Sequence, residues 1–189
     1  MAIQPVVIVL ASGRGERFVA SGGSGSKLQA RLGGCSVLER TLMAVHASGL
    51  PWHLEKTQHP GMGDSIAAAV RATADSPAWL ILPGDLPLIA PATLRHIAQA
   101  PHSLDVVVPV VRGLQRGHPV RFSARCGPEL MQLTGAQGAA AIAHAWGETL
   151  WPVEEDAGCT LDIDTLEDLR RAERLLAARN LRWSGDGGH

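Results

Sequence analysis

The chain has 189 residues, a net charge of −1 and a hydrophobic fraction of 46%. This length is sufficient for one domain with a buried core, and the balanced charge argues against a basic nucleic-acid-binding surface and an acidic disordered tail. The three cysteines are widely spaced and form neither a disulfide framework nor a metal cluster. The sequence shows no signal peptide and no membrane-spanning run, so we expect a cytoplasmic protein without a membrane partner.

Short apolar runs alternate with helical patterns along the chain. Runs that are apolar on both faces predict strands of a covered parallel sheet at residues 6–10, 79–82 and 105–111. Helical periodicity predicts helices at residues 37–47, 64–73 and 91–99, the second with Asp64 or Ser65 as its N-cap, and a last helix from Thr165 through Leu176. Two further strands and a helix are expected at residues 119–122, 149–152 and 137–145. This alternation predicts an α/β sandwich.

The sequence indicates one domain over residues 1–180 and a disordered tail over residues 181–189. Residues 21–26, Ser-Gly-Gly-Ser-Gly-Ser, form the one low-complexity insert and are expected to be mobile.

A glycine-rich loop follows the first predicted strand, where open α/β sheets bind their ligands. It consists of Leu10, Ala11, Ser12, Gly13, Arg14 and Gly15. Its glycines let backbone N–H groups face an anion, while Arg17 and Lys27 add positive charge. Phe18 replaces the third glycine of a dinucleotide fingerprint, and Leu28 after Lys27 excludes a P-loop. Taken alone, the loop fits an anion site or a flexible segment that binds nothing.

Two acidic segments follow later strands. Asp85 stands just past a predicted strand end, where its carboxylate can coordinate Mg²⁺ or simply hydrogen-bond the turn. In an extended Asp162-Ile163-Asp164 segment both carboxylates share one face, so one can complete a Mg²⁺ site and the other can serve the following helix N-terminus. Asp168 is interpreted only as a helix-start residue.

Taken in order, these segments resemble the molybdenum cofactor cytidylyltransferase family, within the MobA-like nucleoside-triphosphate transferase group. The resemblance covers residues 6–178. The motifs that carry it are the glycine loop with Lys27, Gly61-Met-Gly-Asp-Ser65, Gly84-Asp-Leu-Pro87, Arg116-Gly-His118-Pro-Val120, Gly135-Ala-Gln-Gly-Ala139 and Leu161-Asp-Ile-Asp-Thr165. The glycine loop and Gly-Asp-x-Pro belong to the whole group, whereas Gly-Met-Gly-x-Ser, Arg-Gly-His-Pro and Asp-Ile-Asp-Thr point to the cytidylyl branch.

The resemblance implies a Rossmann-like three-layer sandwich that transfers CMP from CTP to the phosphate of molybdopterin and releases pyrophosphate. It implies catalytic roles for Arg17, Lys27 and Asp85, and a Mg²⁺ site at Asp85 and Asp162. It implies nucleotide binding by Leu10, Ala11, Ser12, Gly13, Arg14, Gly15, Lys27, Gly61, Ser65 and Gly84. Arg116 and His118 are interpreted as substrate contacts, because an ionised acceptor phosphate needs no general base. A molybdenum hydroxylase or its maturation factor is the expected protein partner.

Two departures from the family pattern leave alternatives open. Between the first helix and Gly61 the family has a strand, a helix and a strand, whereas this chain has room for one strand at residues 52–57, in a region that encloses the base in the family. Val19 replaces a family glycine, and the insert lengthens the path to Lys27. The alternatives are GTP or another phosphorylated acceptor, and a non-catalytic cofactor- or nucleotide-binding chaperone for a molybdenum hydroxylase. His53 and His59 are interpreted as surface residues.

Overall fold

A computed structural model describes residues 4–13, 15–111, 115–153 and 156–185. Its strands are β1 (Val6–Leu10), β2 (Arg31–Leu32), β3 (Cys35–Ser36), β4 (Trp52–Glu55), β5 (Ala78–Pro83), β6 (Val106–Val111), β7 (Gln115–Arg116), β8 (Val120–Ser123) and β9 (Thr149–Pro152). Its helices are α1 (Glu16–Ala20), α2 (Val37–Ser48), α3 (Met62–Ala72), α4 (Pro91–Ala98), α5 (Gly127–Leu130), α6 (Ala140–Ala145) and α7 (Leu166–Gly185).

The main sheet has seven strands, with β4-β1-β5-β8-β6-β7 along one path and β9 on the other edge of β6. Strand β1 pairs in parallel with β4 and β5, and β9 pairs in parallel with β6. Strand β8 runs antiparallel between β5 and β6, and β7 runs antiparallel to the end of β6. The expected α/β sandwich with a mostly parallel sheet is confirmed. A separate hairpin pairs β2 with β3.

Alternating side chains of the central strands enter two different cores. Val7 and Val9 pack on one face of the sheet with residues of α2 and α4. Ile8 points to the other face, where it packs with Ile66 and Val70 of α3. Since side chains alternate across a strand, a continuous apolar run fills both cores at once, and the three-layer architecture follows.

A third core fixes the segment around the Ser/Gly insert. Phe18 before the insert and Leu28 after it are both buried with Ile163 near the start of α7. A Cβ on Gly23 would lie 2.3 Å from the Phe18 ring, so the insert packs closely over that ring. The two ends of the insert are therefore anchored, and this anchoring sets the position of Lys27.

The elements between α2 and α3 agree with the shortened pattern. Strand β4 is the single strand there, and it forms the outer edge of the sheet. Helix α2 starts with a capping box between Ser36 and Glu39. Helix α3 begins at Met62 with Gly61 at its N-cap, so the predicted cap at Asp64 or Ser65 was wrong by three or four residues.

The end of the chain differs from the expected tail. Helix α7 continues to Gly185, through residues that the sequence assigns to a tail, while residues 186–189 lie outside the described ranges. Among the described residues, no helix combines the length and apolar character needed to cross a lipid bilayer.

Candidate active site

A cavity of about 350 Å³ lies at the carboxyl ends of β4, β1 and β5. Its lining includes the glycine loop, the start of α3 and the turn after β5. The lining residues are Leu10, Ser12, Gly13, Lys27, Leu28, His59, Pro60, Gly61, Met62, Ser65, Pro83, Gly84, Asp85 and Ala136.

The glycine loop is held by backbone contacts with the neighbouring strands. The Gly84 N–H donates to the Leu10 carbonyl over 2.9 Å, and the Ala11 N–H donates to the Glu55 carbonyl over 2.8 Å. Gly15 adopts the left-handed conformation, with φ of 65°, immediately before α1. The hydroxyls of Ser12 and Ser65 are 2.7 Å apart and join the loop to α3.

The segment before α3 packs against the loop of residues 134–137. A Cβ on Gly61 would lie 2.0 Å from the Gly135 carbonyl oxygen, and one on Gly63 would lie 2.7 Å from the Gln137 carbonyl oxygen. The Gly63 N–H donates to Gly135 O over 2.9 Å, and the Asp64 carboxylate accepts from the Gly135 N–H over 2.8 Å. Glycine is needed at 61 and 63 because two backbones meet there, which brings Ala136 to the cavity.

Lys27 joins the two acidic segments. Its Nζ lies 2.6 Å from Asp85 Oδ2 and 2.7 Å from Asp164 Oδ1, with 13% of its side chain exposed. Burial alone lowers the pKa of Lys27, but the charges and hydrogen bonds of Asp85 and Asp164 outweigh it and raise that pKa. Arg17 contacts the other oxygen of Asp164 at 2.8 Å from an exposed position.

The acidic residues have three different environments. Asp85 is buried, and its Oδ1 has no hydrogen-bond partner among the residues that the structure describes. Asp162, the second predicted metal ligand, is exposed and is not among the residues that line this cavity or the one adjoining it, and partial desolvation and the negative charges of Asp85 and Asp164 raise its pKa. Asp168 accepts hydrogen bonds from Thr165 N and Oγ1, both at 2.7 Å, which is a helix-start role as expected. Within the described ranges, no three His, Cys, Asp or Glu side chains converge as a metal cluster.

A second cavity of about 300 Å³ adjoins the first and shares Leu10, Met62 and Pro83 with it. Its lining is largely apolar, with Arg116 and His118 among its few polar residues. Arg116 pairs with the Glu148 carboxylate. His118 Nδ1 is buried and makes no hydrogen bond with any described residue. Burial lowers the pKa of His118, although the charges of Asp85 and Asp162 act to raise it.

A family model for the MobA-like NTP transferase domain matches residues 43–150, which is more than half of the chain. The chain belongs to the MobA-like NTP transferase domain family. Among curated relatives, the bifunctional protein GlmU of Coxiella burnetii (strain Dugway 5J108-111) is 33% identical over 126 residues, covering 54% of this chain and 27% of GlmU. The chain therefore spans about a quarter of the length of the curated relatives it matches.

Solved structures share the fold of this MobA-like domain. Rv0371c from Mycobacterium tuberculosis H37Rv has a TM-score of 0.75 and 24% identity over 92% of this chain and 99% of that chain. A manganese complex of Rv0371c has a TM-score of 0.72 and 23% identity over 92% and 100%. Molybdopterin-guanine dinucleotide biosynthesis protein A from Archaeoglobus fulgidus has a TM-score of 0.68 and 19% identity over 92% and 99%.

Most of the sequence-predicted site residues of this MobA-like domain lie at the two cavities. Those at the first cavity are Leu10, Ser12, Gly13, Lys27, Gly61, Ser65, Gly84 and Asp85, and Arg116 and His118 line the second. Gly15 and Arg17 line an adjoining depression with Lys27 and Asp164. Ala11 supports the loop through its backbone. Arg14 is outside the described residues.

Two site features differ from expectation. Asp164, assigned by the sequence either to the metal or to a helix terminus, instead pairs with Lys27 and Arg17. His53 and His59 were expected at the surface, but both are half-buried, and His59 lines the first cavity with its Nε2 3.3 Å from Glu55 Oε1. The available signal was Glu55 itself, an acid at a predicted strand with a histidine four residues later.

Proposed function

We propose that this domain transfers CMP from CTP to the phosphate of molybdopterin cofactor, with release of pyrophosphate. The observation that carries the proposal is the joining of Lys27, Asp85 and Asp164 at the cavity formed by the glycine loop. Family membership supports nucleotidyl transfer. The Gly-Met-Gly-x-Ser and Asp-Ile-Asp-Thr motifs favour CTP. The name of the Archaeoglobus fulgidus protein favours a molybdopterin acceptor, but it names a guanine dinucleotide and so favours GTP as the donor, which is why the test includes GTP.

The carboxylates fit a divalent cation. Asp85 Oδ1 is buried and unpartnered, and Asp162 is close enough for the Asp85 charge to raise its pKa. Mg²⁺ commonly takes one or two carboxylates and completes its coordination with phosphate oxygens and water. Asp85 and Asp162 would hold the ion, which when bound neutralises charge on the triphosphate and the leaving pyrophosphate. The manganese complex of Rv0371c supports a divalent ion of this kind.

Transfer requires an oxygen of the acceptor phosphate to form a bond with the α-phosphorus of CTP. The bond from that phosphorus to the bridging oxygen of the β-phosphate breaks, and pyrophosphate leaves with the electron pair. The acceptor phosphate is already ionised at neutral pH, so no side chain has to remove a proton. The protein contributes mainly positioning and charge compensation.

The residues of the first cavity would have different roles in positioning the substrates and compensating their charge. N–H groups around Ser12 and Gly13 would bind triphosphate oxygens, because the glycine loop leaves its backbone accessible. Lys27 has a raised pKa and therefore stays charged, so it can exchange a carboxylate partner for a phosphate oxygen. Arg17 lies at the exposed side of Asp164, where it would contact the departing pyrophosphate.

The second cavity would receive the acceptor. It opens beside Leu10 and Pro83 and so continues from the nucleotide cavity. Arg116 and His118 would contact the acceptor there, and a molybdenum hydroxylase or its maturation factor would receive the product.

All three cysteines are free, in agreement with the proposed cytoplasmic location.

Pyrophosphate release tests the proposal. The purified chain is incubated with molybdopterin cofactor and Mg²⁺, and CTP, GTP, ATP and UTP are compared, with Asp85→Asn and the exposed turn residue Asp75→Asn as a matched pair. We expect release with CTP, a loss of at least about a hundred-fold in Asp85→Asn, and no change in Asp75→Asn. If no triphosphate turns over while nucleotide or cofactor still binds, the non-catalytic chaperone replaces the enzyme.

A further inference from the structure

Two histidines share one buried carboxylate at the end of β4. Glu55 is 7% exposed, and its carboxylate accepts from the Thr57 N–H over 2.9 Å. His59 Nε2 lies 3.3 Å from Glu55 Oε1, and His53 Nε2 lies 3.7 Å from Glu55 Oε2. Both Nε2 atoms are buried, and neither makes a hydrogen bond with a described residue in the unliganded structure. Only His59 of these two histidines lines the first cavity. The pair Glu55 and His59 has no part in the transfer step described above.

The sheet places this pair one ribose away from the reaction site. Glu55 is opposite Leu10, and Leu10 is opposite Pro83, two residues before Asp85. Neighbouring strands are about 4.8 Å apart, so two strand spacings separate the ends of β4 and β5 by about 10 Å. If the α-phosphate lies near Asp85 and Lys27, the ribose and the nucleobase together would span this separation and bring the edge of the base to His59.

The Glu55 carboxylate determines what the His59 ring can recognise. A ring nitrogen that faces a carboxylate oxygen carries the proton, and the other nitrogen of the neutral ring is then an acceptor. Glu55 Oε1 is 3.3 Å from His59 Nε2, so a hydrogen bond donated by Nε2 to this carboxylate in the nucleotide complex would leave Nδ1 as the acceptor. An acceptor pairs with an exocyclic amino group and is repelled by a carbonyl oxygen in the same place. Cytosine carries an amino group where uracil, of nearly the same size, carries a carbonyl.

We propose that His59 recognises the exocyclic amino group of the nucleobase and that Glu55 is a positioning residue that fixes the required ring tautomer. The inference rests on the proposed function, because it takes the first cavity as the nucleotide site. It adds the side chain that selects CTP over UTP.

The test compares kcat/KM for CTP and UTP in the wild type, His59→Ala and His53→Ala. His53 is the matched control, because it contacts the same carboxylate but does not line the cavity. We expect His59→Ala to lower the CTP/UTP ratio about ten-fold, the worth of one hydrogen bond, through a higher KM for CTP at nearly constant kcat. His53→Ala should keep the wild-type ratio. Glu55→Gln should lower the ratio through KM as well.

An unchanged ratio in His59→Ala overturns the inference, and so does an equal fall in His53→Ala, which would assign the effect to loss of packing around Glu55. A wild type that uses CTP and UTP equally also overturns it. If the wild type turns over no triphosphate, the transferase proposal fails, and equilibrium binding of Mg²⁺–CTP and Mg²⁺–UTP to the same proteins decides the inference separately. Tighter CTP binding that His59→Ala abolishes supports it, and equal binding overturns it.

Discussion

Lys27 and Arg17 differ in how strongly water screens their charges. Lys27 contacts Asp85 and Asp164 with 13% of its side chain exposed, whereas the Arg17 side chain is 78% exposed. Exposed ion pairs contribute about 0–1 kcal/mol, while removal of one partner from a desolvated pair leaves an uncompensated charge. The structure of the unliganded site therefore depends on Lys27 much more than on Arg17.

We expect Lys27→Met to lower the free energy of unfolding by about 1–3 kcal/mol in metal-free buffer, and Arg17→Met by less than about 1 kcal/mol. Because the folded state raises the pKa of Lys27, this stabilisation is present at neutral pH and is lost at strongly alkaline pH as Lys27 deprotonates. Urea titrations of both variants at neutral and alkaline pH measure the effect. Equal losses in the two variants would contradict a dominant role for Lys27.

The residues proposed to act in binding and catalysis could be predicted from the sequence where they directly follow a strand. The glycine loop after β1 and Asp85 after β5 could be located because parallel strands end at one edge of the sheet. The partner of Asp164 could not be predicted in this way. Lys27 and Asp164 are 137 residues apart, and they meet only because the third core buries Phe18 and Leu28 together with Ile163.

At the scale of elements, sequence periodicity predicted most of the longer helices and strands and identified correctly which of the two each segment forms. Strands β1 and β9 have the predicted bounds, and α2 and α4 differ from prediction by one residue. Short elements were missed: α1 and the β2–β3 hairpin have too few residues for a periodic signal. The antiparallel placement of β8 depends on long-range pairing, which local patterns do not encode.

Gly61 and Gly63 define a contact between elements, and this contact can be tested by adding a methyl group. We expect Gly61→Ala to destabilise the domain by about 2 kcal/mol or more, because its Cβ would lie 2.0 Å from the Gly135 carbonyl oxygen and a backbone must move. Gly13→Ala is the matched control, since a Cβ there would have no atom of a described, non-adjacent residue within 4 Å. Urea midpoints give the result, and similar midpoints for both variants would refute the close approach.

At the scale of the whole molecule, one buried cysteine reports on each face of the sheet. Cys159 lies in the core shared with α2 and α4, and Cys126 lies in the core shared with α3. Burial raises the pKa of Cys159 to about 12 and that of Cys126 to about 11. Both thiols are therefore protonated and inaccessible in the folded state, whereas Cys35 is half-buried.

We expect a thiol reagent at pH 8 to modify Cys35 alone in the folded protein and all three cysteines in denaturant. If the two cores unfold together, Cys126 and Cys159 become reactive at the same urea concentration. Mass spectrometry of the modified peptides across a urea series measures this. Reaction of Cys126 and Cys159 at separate urea concentrations would show that the layers unfold independently.

The antiparallel strand β8 has a consequence for how the chain is completed during synthesis. Strand β5 ends at Pro83 but receives its second neighbour only from Val120–Ser123, about 40 residues later. At a translation rate of about 5–20 residues per second, the free edge of β5 stays open for roughly 2–8 seconds after it is made. Strand β6 emerges during this interval and cannot close that edge, because it pairs with β8 and not with β5. For this interval the nascent chain carries an apolar strand edge that holdase chaperones can bind and that a neighbouring nascent chain can extend.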